Sequence, residues 1–166
     1  MITTTILPET VEAVVTKCQN VVSDIIFVLD GSTSVSAENY LKAKNFIKQV
    51  IEPLSVSETS TRVAMLQYAT FNNVEFLFQT DKNSTYSKID DVQQIFGTTF
   101  TGSAIRKVLT EIVDSHGRPE ANPVLVLITD GFSFDDVVSP SDSFEDIGGE
   151  LFVIGVGNEF QSGSNV

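Results

Sequence analysis

The sequence is poor in basic residues and contains no long apolar run. Ten lysines and arginines stand against 22 acidic residues, and the resulting net charge of −12 argues against a nucleic acid partner, because phosphate binding requires a basic surface. The longest apolar runs have about six residues, whereas a membrane-spanning helix needs roughly 20. We therefore expect neither a nucleic acid ligand nor direct membrane insertion.

Cysteine and histidine are also scarce, with one residue of each. Cys18 leaves two interpretations open: it is a buried apolar side chain, or it is half of a disulfide bond whose other half lies outside this chain. His116 lies in a polar turn without a nucleophile motif such as G-x-S-x-G, which indicates a surface residue.

Signals for secretion are weak in this sequence. Residues 1–16 lack the basic start and the long apolar stretch of a signal peptide. If the protein is secreted, we expect its signal peptide to lie outside this sequence. Asn83 begins the sequon Asn-Ser-Thr, which makes it a candidate for glycosylation and is consistent with a surface loop in a secreted protein.

The apolar content of 42% is enough for one domain with one sizeable core. Short apolar segments predict five strands, at residues 24–30, 62–68, 74–79, 124–129 and 151–156. A helix is expected between its candidate N-cap, Ser36, and Pro53, which marks its end. Further helices are expected at residues 84–94 and 104–113. The alternation of these elements predicts a doubly wound α/β fold with a mostly parallel central sheet. The short turn at 71–73 predicts that the second and third strands form an antiparallel pair at the sheet edge.

Two of the buried strands run directly into an aspartate followed by a glycine, at Asp30 and at Asp130. Ligand sites of open α/β sheets lie beyond the carboxyl ends of the strands, so neighbouring strands would bring both carboxylates to one crevice. Two carboxylates that lie close together repel each other unless a proton or a cation intervenes. Ser32 and Ser34 alternate with Asp30 in a tight turn, where all three side chains can converge.

Threonines in a third loop extend this set of oxygen ligands, at Thr98, Thr99 and Thr101. Neither cysteine nor histidine occurs in the three loops, and an all-oxygen set favours Mg²⁺, Mn²⁺ or Ca²⁺ over zinc. Two carboxylates only neutralise a divalent ion, which leaves it electrophilic. Because Mg²⁺ has about six ligands and usually retains water, one position can accept an oxygen from outside, ideally a carboxylate.

These three loops together resemble the metal-ion-dependent adhesion site of von Willebrand factor type A domains. Asp30-Gly-Ser-Thr-Ser34 matches the D-x-S-x-S signature, and Ile-Thr-Asp130-Gly is similar to the segment of the second aspartate. Gly97-Thr-Thr-Phe-Thr-Gly-Ser-Ala-Ile105 resembles the threonine loop, in which the ligating threonine lies two residues before another threonine. The resemblance therefore implies a Rossmann-like fold with helices on both faces of the sheet. The metal ligands that it implies are Asp30, Ser32, Ser34, Thr99 and Asp130.

The resemblance also implies an extracellular adhesion module. A divalent cation, Mg²⁺ before Mn²⁺ or Ca²⁺, would capture an aspartate or glutamate of a matrix or cell-surface protein. The alternative is a structural domain of a multidomain matrix protein that self-associates through metal-independent faces. We expect no enzyme: phosphatases of the haloacid dehalogenase type place a second aspartate where this sequence has Ser32, and no basic residue lies in the three loops.

Family members continue beyond this point with a helix, a strand and a C-terminal helix. We therefore expect an extension over residues 1–22, a domain over 23–158 that is truncated at its C-terminal end, and a loose tail over 159–166. Extracellular members often pair a cysteine before the first strand with one after the last helix, and Cys18 stands in the position of the first.

Single residues of the proposed site also have ordinary structural explanations. Serines and aspartates are common in turns, and Thr101 could cap the helix that follows it. Phe132 and Phe134 follow Asp130 in a loop, where they could line the ligand face. The three motifs in their correct order favour the metal site over these separate explanations.

Overall fold

A computed structural model describes residues 8–18 and 21–157 of the chain. Its strands are β1 (Ser23–Asp30), β2 (Thr61–Tyr68), β3 (Asn72–Gln79), β4 (Asn122–Thr129) and β5 (Glu150–Gly155). Its helices are α1 (Pro8–Cys18), α2 (Ala37–Ile51), α3 (Lys82–Asp91), α4 (Thr101–Lys107), α5 (Asp114–His116) and α6 (Val138–Asp146). A π-helical segment, Val108–Val113, joins α4 to α5.

The sheet has the strand order β3-β2-β1-β4-β5. Strands β2, β1, β4 and β5 pair in parallel, and β3 pairs antiparallel with β2 at one edge. The predicted doubly wound, mostly parallel sheet with one antiparallel edge strand is thus confirmed. Because β1 and β4 are neighbours in register, with Leu29 opposite Ile128, the residues that follow both strands lie at the same edge of the sheet.

The central strand β1 is buried on both faces, as its continuous apolar run predicts. Ile25, Phe27 and Leu29 belong to a core that includes side chains of α2. Ile26 and Val28 point to the opposite face and belong to a second core with side chains of α4. Helices therefore cover both faces of the sheet, and the end of β1 is held rigidly between them.

The first residues of α2 and α3 follow side-chain caps. The Ser36 hydroxyl accepts a hydrogen bond from the Asn39 amide at 3.2 Å, as expected for an N-cap. Asp81 accepts one from the Ser84 amide at 2.7 Å, so α3 begins two residues before the predicted start. Strand β3 also begins two residues early, at Asn72, which leaves a shorter turn after β2 than the sequence predicts.

Helix α1 lies within residues 1–22, for which the sequence predicts only an extension. Its side chains Val14 and Cys18 are buried in the core of α2 and β1, with Val11 and Val15 packed against it. These four residues have the spacing of one helical face, which is the signal that predicts a helix here. The division of the chain into an extension, a domain and a tail stays a prediction, and the tail lies outside the described residues.

Candidate metal centre

Asp30 ends β1 and is completely buried. Its Oδ1 accepts a hydrogen bond from the Ser32 amide at 2.9 Å, which closes the turn that follows the strand. Its Oδ2 accepts hydrogen bonds from the Thr129 hydroxyl at 2.8 Å and from the Tyr68 hydroxyl at 3.4 Å. The carboxylate is therefore held in one orientation by groups from the turn after β1, from β2 and from β4.

The side chains of Ser32, Ser34 and Asp130 form a continuous row of oxygen atoms. The two serine hydroxyls are 2.9 Å apart, and the Ser34 hydroxyl donates a hydrogen bond of 3.0 Å to Asp130 Oδ1. Ser34 is exposed, whereas Asp130 is half-buried. The row thus runs from a buried residue of the first loop to the surface, where it meets the loop that follows β4.

Asp130, at one end of this row, lies within the electrostatic influence of a second carboxylate, Asp30. Burial and the negative charge of Asp30 raise the pKa of Asp130, although the hydrogen bond from Ser34 acts in the opposite direction. The ionised form of Asp130 is thus destabilised by its surroundings. A positive charge at this point would remove the repulsion.

Two threonines of the third loop are buried at the same edge but make different contacts. The carbonyl oxygen of Thr99 accepts a hydrogen bond from the Phe134 amide at 3.0 Å, which ties its loop to the one after β4. The Thr101 hydroxyl donates a hydrogen bond to the Tyr68 hydroxyl at 3.2 Å. Thr101 is the first residue of α4 and follows the N-cap position, which Phe100 occupies, so the interpretation of Thr101 as the cap is wrong. Thr98 is exposed.

The backbone of Gly97 connects this threonine loop to the first loop. The Thr33 amide donates to the Gly97 carbonyl and the Gly97 amide donates to the Thr33 hydroxyl, both at 2.9 Å. Gly97 has φ +120°, and an added Cβ would lie 2.5 Å from the Thr70 hydroxyl oxygen. The positive φ and the nearby Thr70 therefore both favour glycine at position 97.

Sequence reasoning missed a second set of contacts, made by Asp135. Its Oδ1 accepts a hydrogen bond from the Gly102 amide at 2.9 Å and its Oδ2 one from the Ser103 amide at 2.6 Å. These bonds, with one from Ser133, lower the pKa of Asp135 despite its partial burial. Asp135 thus satisfies the first turn of α4 from a loop about thirty residues later, a contact that no local pattern indicates.

The other candidate residues lie away from this edge. Asn83 is exposed on the first turn of α3, where its glycosylation stays a prediction. Cys18 is buried at the end of α1, and its pairing in a disulfide bond likewise stays a prediction. His116 is exposed, as expected. Within the two described ranges, no group of three or more histidine, cysteine or acidic side chains could hold a metal ion, so a cation here would depend on the hydroxyls as well.

The sheet order and the three joined loops define a Rossmann-like α/β domain with a candidate cation site. Residues 24–163 match the model of the von Willebrand factor type A domain. The chain belongs to this family.

The curated relatives include a matrilin, an integrin chain and a collagen chain. The chain is 34% identical to matrilin-3 of Gallus gallus over 86% of its own length and 33% of the relative. It is 34% identical to integrin alpha-X of Mus musculus (87% and 13%) and 32% identical to the collagen alpha-4(VI) chain of Mus musculus (86% and 6%). The chain thus spans a third or less of these relatives. They are matrix or surface proteins rather than enzymes, in agreement with the predicted extracellular location.

Solved structures of the family have the same fold. The manganese-loaded TRAP protein of Plasmodium vivax superposes with a TM-score of 0.76 at 22% identity, over 86% of this chain and 60% of that one. Proximal thread matrix protein 1 of the mussel byssus, with zinc in its metal-ion-dependent adhesion site, gives 0.73 at 25% identity over 80% and 35%. No helix in the described ranges is long and apolar enough to cross a membrane.

Proposed function

We propose that this domain captures an acidic residue of an extracellular protein through a divalent cation. The ligands would be Asp30, Ser32, Ser34, Thr99 and Asp130. The observation that carries the proposal is the row of oxygen atoms from Ser32 through Ser34 to Asp130, since it brings side chains of two separate loops to one point.

The spacing of this row is compatible with ligands of one small hard ion. Neighbouring oxygens in the row are 2.9 and 3.0 Å apart. An ion with metal–oxygen distances of about 2.1 Å separates adjacent octahedral ligands by about 3.0 Å. The oxygens therefore fit Mg²⁺ without large movements, and Mn²⁺ and Ca²⁺ are the alternatives. Zinc belongs in the test panel because the mussel protein holds it.

The chain's own residues divide the work of such a site. Thr129 and Tyr68 hold Asp30 in a fixed orientation, so no ordering of this carboxylate is needed when an ion binds. Ser34 and Asp130 lie at the surface end of the row, where a partner can approach. When bound, the cation would supply a positive centre that is electrophilic enough to accept a carboxylate oxygen of the partner.

A binding screen against extracellular matrix and cell-surface proteins tests this proposal. It is run in Mg²⁺, Mn²⁺, Ca²⁺ and Zn²⁺ and again in excess chelator. We expect binding that chelator abolishes and that Asp130→Ala removes without loss of folding. Glu120→Ala is the matched control, because Glu120 is an exposed acidic residue in the turn before β4, at the opposite edge of the sheet.

The same screen separates the alternative function. A structural domain that self-associates through metal-independent faces would bind copies of itself or matrix proteins equally well in chelator. Unchanged affinity in chelator, together with unchanged affinity of Asp130→Ala, would reject capture through a cation and favour this alternative.

A further inference from the structure

The exposed phenylalanines of this domain are distributed unevenly. Phe132 is 95% exposed, Phe71 77%, Phe134 76% and Phe96 58%. The other phenylalanines in the described part of the chain are buried or half-buried. An exposed phenylalanine adds little to folding stability, because it removes little apolar surface from water.

All four residues lie on loops at the edge of the sheet that carries the candidate metal centre. Phe71 follows β2, and Phe132 and Phe134 follow β4. The Phe96 amide donates a hydrogen bond of 2.9 Å to the Gly31 carbonyl, directly after Asp30. These four side chains, named here the aromatic rim, are therefore presented by the loops that supply or contact the oxygen ligands.

Phe96 has an unusual backbone conformation. Its φ is +56°, in the left-handed region that residues with a side chain rarely adopt. Glycine would adopt this backbone without strain. A strained position that nevertheless presents an aromatic ring to solvent indicates that the ring itself has a use.

The charge of these loops restricts the ligand further. Residues 31–36, 69–71, 92–100 and 130–137 contain no lysine, arginine or histidine, and the chain carries a net charge of −12. Arg106 reaches this edge from α4, but it pairs with Asp135 at 3.3 Å. The cation could bind one acidic residue of a ligand, but the acidic surface around it would repel further acidic residues.

We infer that the aromatic rim binds apolar side chains on both sides of a single acidic residue in the partner. The inference rests on the proposed function, which places that acidic residue on the cation. The partner segment is accordingly an apolar stretch with one aspartate or glutamate, not an acid-rich stretch. Large aromatic side chains next to a polar anchor are typical of the residues that dominate protein interfaces.

Four synthetic peptides, measured by surface plasmon resonance on the full chain in Mn²⁺ and in chelator, test this inference. The first has one glutamate with two leucines on each side, and the second has glutamine in its place. The third has serines around the glutamate, and the fourth has four consecutive glutamates between serines. The variants are Phe132→Ser/Phe134→Ser and, as a control, Ile147→Ser, which removes an apolar side chain that is 49% exposed outside these loops.

The first peptide should bind about tenfold more tightly than the third and fourth, and only in Mn²⁺. The double variant should lose this preference while it still binds the third peptide, and Ile147→Ser should keep it. Equal binding of the first, third and fourth peptides, a preference that survives in the double variant, or no binding of the first peptide at millimolar concentration would overturn the inference. Binding that ignores chelator, or equal binding of the glutamine peptide, would instead reject the proposed function.

Discussion

Ser34 and Asp130 are 96 residues apart in the chain, yet the hydroxyl of one donates a hydrogen bond of 3.0 Å to the carboxylate of the other. The contact exists because β1 and β4 are adjacent parallel strands that end at the same edge of the sheet. It joins the two loops that carry the acidic residues of the candidate site. A single exposed hydroxyl thereby connects the buried Asp30–Ser32 turn to the surface.

Replacing Ser34 by alanine should weaken metal binding and leave the fold intact. The hydroxyl is exposed and lies at the centre of the oxygen row, so its loss removes a ligand but little packing. We expect the Mn²⁺ affinity to fall by at least about tenfold, as measured by calorimetric titration. Ser87→Ala, an exposed serine of α3, is the control. Equal Mn²⁺ affinity in both variants would remove Ser34 from the site.

Two buried tyrosines should respond in opposite ways to replacement by phenylalanine. The Tyr68 hydroxyl donates to Asp30 and accepts from Thr101, so Tyr68→Phe should lower the free energy of unfolding by about 1 kcal/mol and weaken Mn²⁺ binding. The buried Tyr40 hydroxyl finds no hydrogen-bond partner among the described residues, so Tyr40→Phe should be neutral or stabilising. Urea unfolding measures both changes, and similar losses in the two variants would contradict this assignment of roles.

The sequence carries enough information to predict most of this fold. The strands are short apolar runs, and β1 and β4 are apolar on both faces because helices cover both sides of the sheet. Helix α1 was predictable in principle from the spacing of Val11, Val14, Val15 and Cys18. Caps decide where helices begin, and the Asp81 cap explains why α3 starts before its apolar pattern does.

The candidate site could be predicted only as far as its residues are close in sequence or match a known motif. Asp30, Ser32 and Ser34 form one short turn, Asp130 follows a second buried strand, and the family resemblance selects Thr99 among the three threonines. The supporting contacts of Tyr68 with Asp30 and of Asp135 with the start of α4 join residues 38 and about thirty positions apart. Such contacts follow from tertiary packing, and no spacing in the sequence indicates them.

Divalent cations should stabilise this domain against heat. An ion that binds the folded chain and not the unfolded chain adds about 2.7 kcal/mol when its concentration is about 100 times its dissociation constant. We expect the melting temperature to rise in Mg²⁺ or Mn²⁺ relative to chelator, as followed by differential scanning fluorimetry. Asp130→Ala should abolish the rise and Glu120→Ala should retain it. An equal rise in both variants would indicate ions bound elsewhere on this acidic chain.

Asp24, at the end of the sheet opposite the candidate metal centre, should control stability in acid rather than metal binding. Asp24 is buried, and it is paired with Arg62 at 2.6 Å and with Arg118 at 2.8 Å. Burial alone would raise the pKa of Asp24, but the hydrogen bonds from Arg62 and Arg118 and the charge of Arg62 lower it below its ordinary value of 3.8. A lowered pKa in the folded state means that this group stabilises the fold above pH 3.8 and that the contribution is lost as the pH falls toward the folded-state pKa.

Asp24→Asn tests this role, because it keeps the size of the side chain and removes the charge that pairs with the two arginines. We expect the free energy of unfolding at pH 7 to fall by about 3 kcal/mol, since both arginines lose their charged partner. The variant should also lose less stability than the parent as the pH falls below 3.8, because it lacks the carboxyl group whose pKa the fold lowers. Mn²⁺ affinity should not change, since Asp24 is the second residue of β1 and Asp30 is its last. An equal loss of stability in acid in parent and variant would contradict this role of Asp24. A fall in Mn²⁺ affinity without unfolding would show that the two ends of the sheet are not independent.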